Sequence, residues 1–315
     1  MASLESTLSL RQLRYFVCVV EQRGFTAASA VLHVAQPSLS RQIAQLEESL
    51  GEQLLLRGPE GVLPTEAGRR FYDLARDVLD RVNGAGAELK GIDREPQGRV
   101  AAAMPTTCGT QLLTDLIKIC KQRMPLVDLQ VQDGISSHTG PVLETGMVDF
   151  GVVPNADEIA GIVAEDLLRE QLFLVRSHDG GGTRVPSEIA LAEIAGMPLV
   201  VVPRTLHLRR HLERAAQEAG VLLDLRYEQR TANTVAGFVR AGLAATVTNW
   251  PSYMELFPAG SAIAQRIVSP PLSRTISMAY PSSRPLNHAA RATYELVREL
   301  ILARVRDGSW RGELL

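Results

Sequence analysis

Residues 36–51, QPSLSRQIAQLEESLG, decide how the chain is read. Leu39, Ile43, Leu46 and Leu50 fall at i, i+4, i+7 and i+11, one apolar stripe of a helix that runs from about Pro37 to Leu50 and stops at Gly51. Proline suits the first position of a helix, where its missing N–H has no partner to lose. On another face lie Ser38, Arg41, Gln42 and Gln45, with Ser40 beside them. One face packs. The other offers hydroxyls, amides and a single guanidinium, the donors and acceptors that read base edges in a DNA major groove. A polar stripe alone is most often a solvated helix face, so its neighbours must decide.

Those neighbours are helices and a hairpin. Upstream, Leu10, Leu13, Val17 and Val20 mark a first helix ended by Gly24, and Thr26 is expected to cap a short second helix before a turn ending at Gln36. Downstream, LLLRGPEGVLPT reads as a small hairpin or wing around Gly58, Pro59 and Gly61. Thr65 then caps a long helix in which Phe71, Leu74, Val78, Val82, Ala85 and Leu89 recur at three- or four-residue spacing to about Lys90. At 1.5 Å per residue that helix is about 38 Å long, and one with a single apolar seam usually finds a partner helix. Asn83, Gly84 and Gly86 weaken its second half and are placed to bend it.

Two short helices, a turn, a polar-faced helix and a wing in succession favour DNA recognition. The candidate contacts are Thr26, Gln36, Pro37, Ser38, Ser40, Arg41, Gln42, Gln45 and Arg57. Residues 1–65 hold five Arg and six Glu, so they lack the basic footprint usual in DNA binders. Phosphate contacts fall to placed groups, among them Arg11 or Arg14, Arg57, Thr26 and helix N-termini. Modest affinity per head follows, made useful by several heads on one duplex.

The whole chain has 315 residues, length for about two domains. Its 33 basic and 35 acidic residues leave a formal charge of -2, which singles out no partner. Cys18, Cys108 and Cys120 are scattered and odd in number, which argues against a disulfide framework and for a cytoplasmic location. No apolar run approaches the ~18 residues a membrane span needs, so no membrane partner is expected.

From Gly98 the texture changes to short strands alternating with helical segments at 109–123, 206–219 and 231–241, closed by a helix from Asn287 to about Arg306. That alternation implies βαβ units, a mostly parallel sheet and two subdomains. Ligands of such sheets bind beyond the carboxyl ends of strands, where helix N-termini point inward. Thr106 and Thr107, Ser136 and Ser137, Arg204 and Thr205, and Thr248 and Asn249 occupy such ends, with His207 beside them. Each pair alone is an ordinary cap or turn. Their shared placement suggests a cleft for a small organic anion.

His207 and His211 have metal-pair spacing, but Arg209 and Arg210 oppose a cation and no third ligand is evident, so no metal is expected. Cys108 precedes a helix whose dipole can lower a thiol pKa, whereas Cys120 lies about 18 Å further along and cannot pair with it. No GxSxG, P-loop, HExxH or GxGxxG is present, and Gly180–Gly182 read as a flexible loop. Neither catalysis nor a cofactor is expected.

The segment LRQLRYFVCVVEQRGFTAASAVLHVAQPSLSRQIAQLEESLGEQLLLR, followed by LPTEAG, resembles the LysR-type transcriptional regulators. AMPTT, LETGMVDFGVV and VRAGLAATVTN resemble the family's effector domain more loosely. The resemblance implies an N-terminal all-α winged helix-turn-helix over residues 1–65 and a dimerising linker helix over 66–92. It further implies an α/β effector module of the periplasmic-binding-protein type over 93–315, with subdomains at about 93–168 plus 270–315 and at 169–269. It implies binding of double-stranded promoter DNA, a small-molecule effector in the inter-subdomain cleft, and a homodimer that assembles into a homotetramer. Pro64 and NWP at 249–251 depart from the family pattern. Two alternatives remain open, a thiol sensor centred on Cys108 and a solute-binding or enzymatic α/β protein with an appended helical domain.

Overall fold

The computed structural model describes residues 8–58, 61–88, 95–134, 136–178, 185–258 and 260–315. The chain divides into two compact units, Met1–Arg94 and Glu95–Leu315.

The first unit contains α1 (Leu10–Glu21), α2 (Phe25–Leu32), α3 (Gln36–Leu50), β1 (Leu55–Gly58), β2 (Gly61–Pro64) and α4 (Glu66–Glu88). Leu39, Ile43 and Leu46 of α3 are buried with Leu13, Phe16 and Val17 of α1, as the stripe predicts. Gly51 ends α3 in the left-handed region, and β1 and β2 form the expected antiparallel hairpin. Several boundaries differ. Ser9, through reciprocal bonds with Gln12, caps α1, which ends at Glu21 rather than at Gly24. Gly24, not Thr26, is the cap residue of α2, and Thr26 lies exposed in its first turn. Burial of Phe25 fixes that turn one residue earlier than the threonine hydroxyl would choose. Helix α3 likewise starts at Gln36, which leaves Pro37 second.

Thr65 caps α4 as expected, its Oγ1 accepting from the Gly68 N–H at 2.9 Å. Gly68 is needed for close approach, because a Cβ there would lie 2.0 Å from the Leu54 carbonyl oxygen. The 23 residues of α4 span about 35 Å, and the helix runs unbroken through Asn83, Gly84 and Gly86 to Glu88. Leu89 and Lys90 fall outside the described residues. The expected seam splits. Phe71 turns inward onto Phe16, edge to face at 5.1 Å, while Leu74, Val78 and Val82 stay exposed.

The second unit runs β3 (Gln97–Pro105), α5 (Thr106–Arg123), β4 (Leu126–Gly134), α6 (Ser136–Glu144), β5 (Phe150–Pro154), β6 (Ile162–Ser177), β7 (Glu188–Ala190) and β8 (Pro198–Val201). It continues with α7 (His207–Glu218), β9 (Asp224–Glu228), α8 (Ala232–Arg240), β10 (Thr246–Asn249), α9 (Trp250–Leu256), β11 (Ala262–Val268), β12 (Ser273–Pro281), α10 (His288–Arg306) and β13 (Gly312–Leu314). The main sheet has the order β4-β3-β5-β12-β6-β11-β7, with β10 and β13 also on β6, and β8 pairs with β9 apart from it.

This sheet is mixed, not mostly parallel. Pairs β3–β4, β3–β5, β7–β11 and β8–β9 are parallel, but every described neighbour of β6 is antiparallel to it. A 3-10 turn at Ala156–Glu158, and no crossover helix, joins β5 to β6. Strand β6 is one 16-residue element, its first part paired with β12 and its last part with β10 and β11. Residues 168 and 169, the expected subdomain division, are consecutive within it. On one side of the shared strand, α5 and α10 bury Leu112, Leu116, Val297 and Ile301 against β3, β5 and β12. On the other, Leu172 and Leu174 pack with Leu199, Leu212 and Val247.

Candidate functional site

In the first unit, Gln36, Pro37, Ser38, Arg41 and Gln45 are exposed, and Ser40 and Gln42 are half-buried. Gln42 Nε2 donates to Gln45 Oε1 at 2.9 Å, which orders two amides one turn apart. Arg57 of β1 reaches α3, its guanidinium 4.5 Å above the Phe25 ring and its Nη2 donating to Ser40 Oγ at 3.1 Å. The wing is tied down by Glu47, whose Oε1 accepts from the Leu54 and Leu55 N–H groups at 2.7 and 2.9 Å. Hydroxyls, amides and the Arg41 guanidinium thus share one side of α3, with Arg57 of β1 beside them, and present base-edge donors and acceptors to solvent or a duplex. Neither the Glu47 clamp nor the Ser9 cap was read from sequence, although LEESLG and SLRQ carry them.

In the second unit the strand-end residues have different fates. Thr106 and Thr107 form the first turn of α5, one exposed and one half-buried. Ser137 is half-buried at the start of α6, and the side chain of Ser136 lies outside the described residues. Arg204 and Thr205 are exposed after β8, with Arg204 Nε donating to Glu213 Oε2 at 2.8 Å. His207 Nδ1 lies 3.1 Å from Glu158 Oε2, and burial followed by the Arg210 charge lowers its pKa. Thr248 is half-buried. Asn249 is buried and spent internally: its Nδ2 donates to Glu170 Oε1 at 2.7 Å and its Oδ1 accepts from the Ser252 N–H at 3.3 Å. Gly180–Gly182 fall outside the described residues.

Glu170, in the middle of β6, is fully buried. Besides Asn249 it accepts from Trp310 Nε1 at 2.7 Å and from Arg274 Nε at 2.5 Å. Beside this hub opens a cavity of about 390 Å³. Asn155, Asp157 and Glu158 from the turn after β5, Asp166 of β6, His211 and Arg214 of α7, and Ser273, Arg274 and Thr275 of β12 line it. None of the strand-end residues does. The sequence signal was faint, because these groups lie in a turn, on one helix and on polar positions of two strands.

Cys108 is buried in the third position of α5, and its thiol is pushed up to about 12 by desolvation, then by the Glu170 charge. The expected lowering by the helix dipole is therefore overturned: burial disfavours the thiolate that redox chemistry needs.

A family model described as LysR substrate binding domain matches residues 93–301, and one described as bacterial regulatory helix-turn-helix protein, lysR family, matches residues 10–69. The chain belongs to the LysR family. It is a DNA-binding transcriptional regulator with an effector-binding domain. Among the relatives of this LysR-family chain, the nitrogen assimilation regulatory protein nac of Klebsiella aerogenes is 29% identical over 295 residues, covering 93% of this chain and 95% of the relative. The hydrogen peroxide-inducible genes activator of Escherichia coli O157:H7 is 27% identical over 301 residues, covering 96% and 97%. A cysteine mutant of Corynebacterium glutamicum OxyR has a similar structure, with TM-score 0.71, 20% identity and coverage of 95% and 94%. Full-length CbnR complexed with its target DNA gives 0.54, 23%, 93% and 99%. At those identities the structures establish the fold.

Proposed function

We propose that this LysR-family regulator reads a promoter half-site with the polar face of α3 and responds to a small organic anion received between the two lobes of its effector unit. The observation that carries the first part is the solvent-facing polar side of α3 beside an Arg57 already positioned by Phe25 and Ser40. Residues 1–65 act as the DNA-binding head, with Thr26, Gln36 and Pro37 at the phosphates and Ser38, Ser40, Arg41, Gln42 and Gln45 toward the bases. Residues 66–92 link the head to an effector domain over 93–315. The exposed row Leu74, Val78 and Val82 on α4 supports a homodimer through that helix, and two dimers make the homotetramer.

Thr106, Thr107, Ser136, Ser137, Arg204, Thr205, His207 and Thr248 surround the anion, and Asn249 holds the strand end in place. Helix N-termini at α5, α6 and α7 favour negative charge there. The effector regulates only if it favours one quaternary arrangement over another. The chain works in the cytoplasm, without a cofactor or metal.

The test begins with selection of bound fragments from a genomic DNA pool by the full-length chain, followed by anisotropy titrations on the selected site. Gln45→Ala and Ser38→Ala should each reduce discrimination against mutated sites by about 1–3 kcal/mol. The salt slope should correspond to few phosphate contacts. Unchanged discrimination in both variants would remove α3 as the reading element.

A further inference from the structure

The cavity beside Glu170 carries a charge pattern that a simple anion does not match. Arg274 lines it and is 8% exposed, with Nε held by Glu170 at 2.5 Å. Among the described residues neither of its terminal nitrogens has a hydrogen-bond partner, so a buried guanidinium presents unspent donors to the cavity. Arg214 adds a second cation, with Ser273 and Thr275 as neutral partners on the same wall.

Opposite charge is present and equally unspent. Asp157 has no cationic partner among the described residues, and Asp166 accepts only from Ser277 Oγ, at 2.6 Å. Glu158, by contrast, is compensated by Arg210 and Arg214 at 3.7 and 3.8 Å, with the His207 ring 3.1 Å away. An anion alone would meet two uncompensated carboxylates, and a cation alone would meet the guanidinium donors. A ligand bearing both charges on neighbouring atoms satisfies the two sets at once. The volume of about 390 Å³ lies within the range of small-molecule sites.

We propose that this cavity binds a small zwitterion of the α-amino acid class, its carboxylate on Arg274 and Arg214 and its ammonium between Asp157 and Asp166. None of the residues assigned above to an organic anion lines this cavity, although His207 touches Glu158 of its wall, and the proposal does not depend on that assignment.

Calorimetric titration of the full-length chain with each standard α-amino acid tests it. For any amino acid that binds, the matching deaminated acid and decarboxylated amine are titrated as well. At least one amino acid should bind one to one, with both singly charged analogues weaker by about tenfold or more. Arg214→Gln and Asp157→Asn, both at exposed positions, should weaken it by about tenfold each while leaving the melting temperature of the ligand-free chain unchanged. Absence of binding by every amino acid, equal binding by the deaminated acid, or variants that bind as the parent does would each overturn the proposal. Promoter binding by the ligand-free chain stands or falls separately.

Discussion

Glu47 in the head and Glu170 in the effector unit each hold a strand in place with one carboxylate, in opposite settings. Glu47 is half-buried and accepts from two backbone N–H groups seven and eight residues away. Glu170 is fully buried and binds side chains 79, 104 and 140 residues away, one of them a buried arginine. The first contact is local and water can replace it. The second is harder to replace, because removing the fully buried carboxylate takes the acceptor from Arg274 Nε, Asn249 Nδ2 and Trp310 Nε1 at once.

The sharpest way to break this contrast is Glu170→Ala, which should destabilise the effector unit by about 3–5 kcal/mol. Both tryptophans of the chain, Trp250 and Trp310, lie in that unit, so tryptophan-fluorescence melts report on it and not on the head. A loss below about 1 kcal/mol would mean that water reaches Arg274 and that the two glutamates are equivalent. Gly68→Ala should come next, at about 1–3 kcal/mol against the head, because the new methyl meets the Leu54 carbonyl. Its signature is early loss of helical circular dichroism with the tryptophan melt unmoved.

Glu47→Ala should cost about 1–2 kcal/mol, with the loosened wing visible as faster amide exchange at Leu54 and Leu55. An effect as large as that of Glu170→Ala would erase the distinction between local and long-range clamps. The smallest effect belongs to pH. Burial lowers the pKa of both His207 and His211, so below about pH 6.5 the unfolded chain takes up protons that the folded chain refuses. Stability should therefore fall as pH drops from there, and His207→Asn with His211→Asn should flatten that slope in urea titrations.

What was legible follows the same division. The α3 stripe, the wing, the Thr65 cap and most strands from Arg99 to Tyr280, though not the three-residue β7, could be read because each rests on spacing within a few residues. Phe71 was misassigned to a partner seam since periodicity does not say which of two apolar faces turns inward. The opening half of β6 was missed because Glu165, Asp166, Arg169 and Glu170 interrupt its apolar pattern, and their partners Arg298, Ser277, Glu313 and Arg274 lie far along the chain. The cavity failed to register for the same reason. Its charges come from four separate elements that only folding assembles.

Strand β6 belongs to both lobes without a break, held along its length by β12, β13, β10 and β11. Lobes strung on one continuous beam cannot slide past each other without tearing its ladder. Bending or twisting that moves one lobe against the other therefore acts on that beam, and Glu170 sits at its middle.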